Sequence, residues 1–227
     1  MTGDLARRAT AEALGTALLL AAVVSSGIMA QRLAGGNVAL ALLCNTLATG
    51  AALTVLILIF APLSGAHFNP VVSLAFATRR DLSWSDAVLY IAAQVGGGIV
   101  GVWAAHLMFD LAALQLSQTI RTGPGQWLSE AVATFGLLLT IFGSLTSAPT
   151  SVPYAVGLYI TAAYWFTAST SFANPAVTVA RSLSDTFAGI APADTPAFLI
   201  SQMAGAVAAV AVGGWLWPKS PAAGTQL

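Results

Sequence analysis

The residues with chemistry to offer are few, and they come twice. His67-Phe68-Asn69-Pro70-Val71-Val72-Ser73 and Phe172-Ala173-Asn174-Pro175-Ala176-Val177-Thr178 each set Asn-Pro at the head of a run of small and apolar residues. Asn is a favoured N-cap because its side-chain oxygen accepts from a first-turn N–H. Pro suits the first helical position, where its missing N–H costs nothing. Each Asn-Pro therefore predicts a helix start, with the capping amide's NH2 left to donate elsewhere. A carboxylate precedes each phrase, Glu12 and Glu130, and a glutamine follows each, Gln94 and Gln202. No nucleophile–base pair, phosphate-binding loop or metal-ligand cluster accompanies them, so neither an enzyme nor a metal or cofactor site is expected. Cys44 is the single cysteine, which excludes an internal disulfide. It reads as a small buried apolar residue, or as a thiol near a conduit.

The elements that must position these residues are membrane-spanning. Charged residues are 7% of the chain and apolar residues 57%, against roughly 25% charged in a soluble domain. The formal net charge is zero and there is no basic run, so nucleic acid is excluded as a partner and the lipid bilayer is expected. The polar start contains Arg7 and Arg8, and Glu12 lies inside the apolar run that follows. That run reads as a retained first helix rather than a signal peptide.

Spans of about 20 residues, enough to cross a bilayer, are predicted at 9–30, 37–62, 85–111, 126–145, 152–170 and 196–217. The segments after the two Asn-Pro pairs, 69–78 and 174–184, are half that length and read as half-helices that re-enter. The fold class is an all-α integral membrane protein with six transmembrane helices and two re-entrant half-helices. Residues 1–118 form one three-helix repeat and 119–227 a second. An odd number of spans per half inverts the second repeat relative to the first, so the half-helices enter from opposite sides and meet at the midplane. Irregular backbone at that depth is tolerated only where it is buried in protein or lines a wet cavity. The two starts therefore point to a conduit.

Arg7, Arg8, Arg79, Arg80 and Lys219 fall on one face, and Arg32, Arg121 and Arg181 on the other. The excess of cations places both termini in the cytoplasm and the chain in the inner (plasma) membrane. Pro218, Lys219 and Pro221 belong to a tail expected to be disordered.

Paired Asn-Pro-Ala-type boxes on inverted repeats, with the intramembrane glutamates and Ser-Gly-x-His-Phe-Asn-Pro, resemble the aquaporins and aquaglyceroporins, the major intrinsic proteins. The resemblance covers nearly the whole chain. It implies a homotetramer with one pore per subunit, passing water or small neutral solutes passively. Two helix N-termini, each carrying about half a positive charge, would face the pore centre and repel cations. Asn69 and Asn174 would donate to the permeating molecule. The resemblance also gives Glu12 and Glu130 a structural role, accepting from the loops, where an intramembrane carboxylate alone would suggest a proton relay. His67 is expected to buttress the first loop, or to gate by protonation.

Two departures from the family pattern stand out. Val71 replaces the usual Ala of the first box. Val177 stands where the family usually has the arginine of its outer constriction. Counting from the two asparagines as the family does, the other constriction positions fall on Thr49, Ala162 and Ser171, with Ala51 in place of Thr49 if span two shifts by two residues. The expected filter has neither arginine nor aromatic, and is wider and less polar than in a strict water channel. Arg181, one turn beyond Val177, is either paired with Asp185 or a displaced filter arginine at the vestibule. The Val177 box with Ala-Arg-Ser-Leu-Ser-Asp is similar to a bacterial aquaglyceroporin subgroup associated with arsenic resistance, which implies passage of glycerol-like polyols and metalloid hydroxides such as arsenite. The competing readings are an ion-coupled transporter, which would want a charged midplane site, and a structural membrane protein with little conductance.

Overall fold

The computed structural model describes residues 4–218; Lys219, Pro221 and the rest of the tail lie outside the described residues. Among them are eight α-helices and no strand: α1 (Leu5–Leu33), α2 (Val38–Ser64), α3 (Pro70–Thr78), α4 (Trp84–Met108), α5 (Pro124–Ser147), α6 (Val152–Phe166), α7 (Pro175–Arg181) and α8 (Thr195–Leu216). Side-chain caps set several starts. Asp4 accepts from Arg7 N at 2.8 Å, Asn37 from Leu40 N at 3.0 Å and Ser83 from Asp86 N at 3.1 Å. Each satisfies an N–H that the first turn leaves orphaned.

Five helical runs are long and apolar enough to cross a membrane: Leu5–Leu33, Val38–Ser64, Trp84–Met108, Pro124–Ser147 and Pro192–Leu216. The sixth expected span, α6, has 15 residues and is preceded directly by a 3-10 turn at Pro149–Ser151. Together they rise about 28 Å, close to the ~30 Å hydrocarbon core. The chain is a multi-pass membrane protein, and its outward faces carry exposed Leu, Val, Ile and Trp side chains.

α1 packs along α4 and α2, α5 packs along α8 and α6, and α2 against α6 joins the two groups. Gly97 and Gly101 on α4 face the backbone carbonyls of Ala13 and Ala17, and Gly205 on α8 faces that of Ala131; a side chain at any of the three would collide with backbone. Such close approach is how helices associate in lipid. α1 and α4 run parallel, because Arg8 pairs with Asp86 at 3.0 Å at their starts and Arg32 donates to Phe109 O at 3.2 Å at their ends. The short helices α3 and α7 lie in the interior, each against α4 and α8.

Cys44 is exposed on the outer face of α2, which corrects the expectation of burial. It follows Leu43, also exposed, while Asn45 and Thr46 take the inward face of the same turn.

Candidate functional site

The site is built from two loops and the two short helices they begin. Ahead of each Asn-Pro the chain turns through three residues with positive φ: Gly65 (91°), Ala66 (51°) and Phe68 (49°) in the first loop, Thr170 (61°), Ser171 (52°) and Ala173 (48°) in the second. For non-glycine residues this left-handed conformation costs roughly 1–2 kcal/mol each, and persists only where the surroundings over-determine it.

The glutamates supply that determination. Glu12, fully buried, accepts from Ser64 Oγ (2.6 Å), His67 N (2.9 Å), Phe68 N (2.7 Å) and Gln94 Nε2 (2.8 Å). Glu130, also fully buried, accepts from Ser169 Oγ (2.6 Å), Phe172 N (2.9 Å), Ala173 N (2.9 Å) and Gln202 Nε2 (2.6 Å). Each glutamine also donates to the short helix beside it, Gln94 to Ser73 Oγ at 3.0 Å and Gln202 to Thr178 Oγ1 at 2.8 Å. Non-helical backbone at membrane depth is thus satisfied from within the protein.

α3 and α7 meet N-terminus to N-terminus. Asn69 caps α3 by accepting from Val71 N at 3.1 Å; Asn174 caps α7 by accepting from Ala176 N at 2.9 Å and Val177 N at 3.2 Å. Each amide then reaches into the opposite loop: Asn69 Nδ2 donates to Ala173 O and Asn174 Nδ2 to Phe68 O, both at 2.8 Å. One N–H of each NH2 group is spent on that cross-link, which leaves one per asparagine for a third partner. Pro70 and Pro175 occupy the first helical positions, and Val71 and Ala176 are buried beneath the asparagines.

Both asparagines line a cavity of about 550 Å³. Its wall is divided. Leu19, Leu53, Ile57, Val156 and Ile160 make an apolar side, and the two loops with Asn69 and Asn174 make a polar one. Thr49, Ser171, Val177 and Arg181 also line it. Thr49 is 3% exposed and faces inward, whereas Ala51 faces out. The Ser171 hydroxyl is buried without a protein partner.

Ala162 is a correction. It is exposed and does not line the cavity, while Ile160 and Tyr164 on the same helix do. At 100° per residue, 160 and 164 share a face and 162 lies opposite. Counting back from Asn174 assumes a fixed length for the loop after α6, whereas the phase of α6 decides which side chains point inward. The inward residue near Thr49 is Tyr164, whose hydroxyl lies 3.5 Å from Thr49 Oγ1. The cavity wall therefore does hold an aromatic.

The Arg181–Asp185 pair is a second correction. α7 ends at Arg181, so helical i,i+4 spacing does not extend to 185. Asp185 instead accepts from Gln118 N at 2.9 Å. The Arg181 guanidinium stacks on the Phe172 ring, 3.4 Å from its centroid, and its Nε donates to Ala188 O. His67 lines the cavity and bonds Ser73 Oγ through Nδ1 at 3.0 Å. His106 lies apart from the cavity, joining Ala113 O and Ser184 Oγ at 2.9 Å each. No cluster of three or more metal-ligating side chains occurs among the described residues.

Opposed half-helices, cross-linked asparagines and a two-sided lumen define an all-helical membrane channel. The profile described as major intrinsic protein matches residues 2–169. The aquaglyceroporin AqpS of Rhizobium meliloti (strain 1021) is 60% identical over 213 residues, covering 94% of this chain and 91% of that one. Human aquaporin-4 is 32% identical over 121 residues, 51% of this chain and 37% of its own. Among solved structures, the aquaglyceroporin from Plasmodium falciparum superposes with a TM-score of 0.71 at 23% identity, covering 93% of this chain and 95% of that one, a likeness of fold alone. The chain belongs to the major intrinsic protein family. It is a passive channel for small uncharged solutes and not an enzyme.

Tyr164, Phe172 and Phe76, which all line the cavity, are the residues that sequence reasoning missed. The stripe Val152, Val156, Ile160, Tyr164 at helical spacing was the signal for Tyr164. Phe172 could be found only from the partner that stacks on it.

Proposed function

We propose that the chain forms a channel wide enough for glycerol-like polyols and metalloid hydroxides such as arsenite, with water passing as well. Its constriction lies where Thr49, Tyr164, Ser171 and Val177 face one another, and its centre lies at Asn69 and Asn174. The observation that carries this reading is an isopropyl group, Val177, on the lumen wall one residue past the second Asn-Pro-Ala. A valine narrows the path less than a guanidinium and leaves solute hydroxyls to find donors and acceptors on the loops. The two-sided wall suits a solute with a hydroxyl edge and a carbon edge. The 60% identical relative named an aquaglyceroporin supports the same solute class.

The reading extends to assembly and placement. The repeats are 1–118 and 119–227, supported by the matched hydrogen bonds of Glu12 and Glu130. The chain is a homotetramer in the plasma membrane with both termini cytoplasmic. Support for that sidedness is the grouping of Arg7, Arg8, Arg79 and Arg80 at one end.

Stopped-flow light scattering on proteoliposomes tests the solute claim. The wild type passes water, glycerol and arsenite. In Val177→Arg, glycerol and arsenite permeabilities fall about tenfold or more while water falls less, because a guanidinium narrows the path and adds donors. A wild type that passes water alone, with Val177→Arg indistinguishable from it, would sink the reading.

A further inference from the structure

The strongest unexplained group in the molecule is a buried cation in the lumen wall. Arg181 is 2% exposed and lines the cavity. Its Nε donates to Ala188 O, but Nη1 and Nη2 donate to no group among the described residues. Neither nearby acid serves it. Asp185 accepts from Gln118 N, and both oxygens of Glu130 are taken up by Ser169, Phe172, Ala173 and Gln202. Arg121 provides the contrast within the same region. It lies 5.2 Å from the same Phe172 ring, and its three guanidinium nitrogens donate to Gly189 O (2.7 Å), Phe187 O (3.4 Å) and Ser169 O (3.5 Å). Arg121 is a structural tie. Arg181 is tied at one nitrogen only.

Burying a charge without a paired acid is costly. The cost is offset here by the face of Phe172, whose quadrupole attracts the cation, and Nη1 and Nη2 remain open on a residue that lines the cavity. We propose that Arg181 supplies the fixed cation of this channel's permeation path, and that Phe172 is the positioning residue that holds it. The proposal rests on the reading of the cavity as that path.

Its consequence is a division of labour. Val177 sits one helical turn, about 5–6 Å, nearer the paired asparagines than Arg181. Width is set at the Val177 level and charge selection one turn away. A filter arginine beside the asparagines would do both at once. Separated, the path stays open to polyols while the cation repels protons and alkali ions, and its free N–H groups offer donors to incoming hydroxyls.

The test measures proton, water and glycerol permeability in the same proteoliposomes, with an entrapped pH-sensitive dye for protons. In Arg181→Gln, proton permeability rises about tenfold or more, the size expected for removing a unit charge from a weakly screened path. Arg181→Lys keeps the charge and stays within about twofold of the wild type by the same argument. The double variant Val177→Arg/Arg181→Gln recovers the proton barrier and loses glycerol flux. A structural tie would predict no such rescue. Arg181→Gln with intact water flux and an unchanged proton barrier would overturn the proposal, as would equal leaks in the Gln and Lys variants. Should Arg181→Gln not fold, Phe172→Leu decides. A proton leak with intact water flux supports the proposal, and an unchanged barrier overturns it. Wild-type vesicles that pass neither water nor glycerol would instead fail the channel reading itself.

Discussion

The two loops share one skeleton and differ in what they present. In both, a glutamate from the first long helix of the half accepts from a serine, two consecutive backbone N–H groups and a glutamine. The surroundings then diverge. His67 stands edge-on to Tyr90 (5.5 Å between centroids) and lies 4.6 Å from Phe76. Phe172, its counterpart, stands edge-on to Phe198 (5.2 Å) and carries Arg181 on its face. One mouth is thus lined by an imidazole and phenyl rings, the other by a cation on a phenyl ring. The backbone constraint is the same in both loops, because left-handed turns at membrane depth need the same acceptor. The side chains that face the lumen are free of that constraint, and the chemistry varies there.

The glutamates offer the largest effect with which to break this comparison. Glu12→Ala and Glu130→Ala each strand two backbone N–H groups in the interior, at about 1–3 kcal/mol per group, so neither variant is expected to fold stably in detergent. The milder Glu12→Gln and Glu130→Gln should lower thermal stability by equal amounts. A variant tolerated in one loop and not the other would show that the loops do not share a skeleton. The capping asparagines come next. Asn174→Ala removes a cap on two N–H groups and Asn69→Ala a cap on one, at about 0.5–2 kcal/mol per cap, so thermal melts should rank Asn174→Ala as the more damaging. The aromatic pairs come last. Tyr90→Phe loses both of the hydroxyl's 2.9 Å bonds, the one it donates to Ser64 O and the one it accepts from Arg8 Nε, worth roughly 1 kcal/mol each. Phe198→Ile, at the corresponding ring, costs packing alone. Its melt should fall without disturbing the α1–α4 contact that Arg8 makes with Tyr90 at 2.9 Å.

Much of this architecture was legible in the chain. The two Asn-Pro pairs located α3 and α7 because capping chemistry is local, and apolar length located the long helices to within a few residues at most ends. The structural role of Glu12 and Glu130 followed from the family resemblance, and the need of a buried loop for acceptors gave it a physical reason. What crossed a loop was not legible. Counting back from Asn174 to Ala162 crosses residues 167–174, whose turns hide the phase of α6. The Arg181–Asp185 pair assumed a helix that had already ended. Cys44 was assigned by residue type, whereas in lipid an apolar residue is equally at home facing out. The Arg181–Phe172 stack joins residues nine apart across the helix start at Asn174, and no periodicity reports such a contact.

Which side chains of α6 form the constriction is measured most directly by the glycerol-to-water permeability ratio of two paired variants. Tyr164→Ala removes a ring from the lumen wall and is expected to raise the ratio several-fold, on the order of 3–10 times. Ala162→Phe adds a ring to the outer face of the same helix and is expected to leave the ratio unchanged. The reverse pattern, a ratio insensitive to Tyr164→Ala and lowered by Ala162→Phe, would contradict the account and return the constriction to the position counted from the second Asn-Pro.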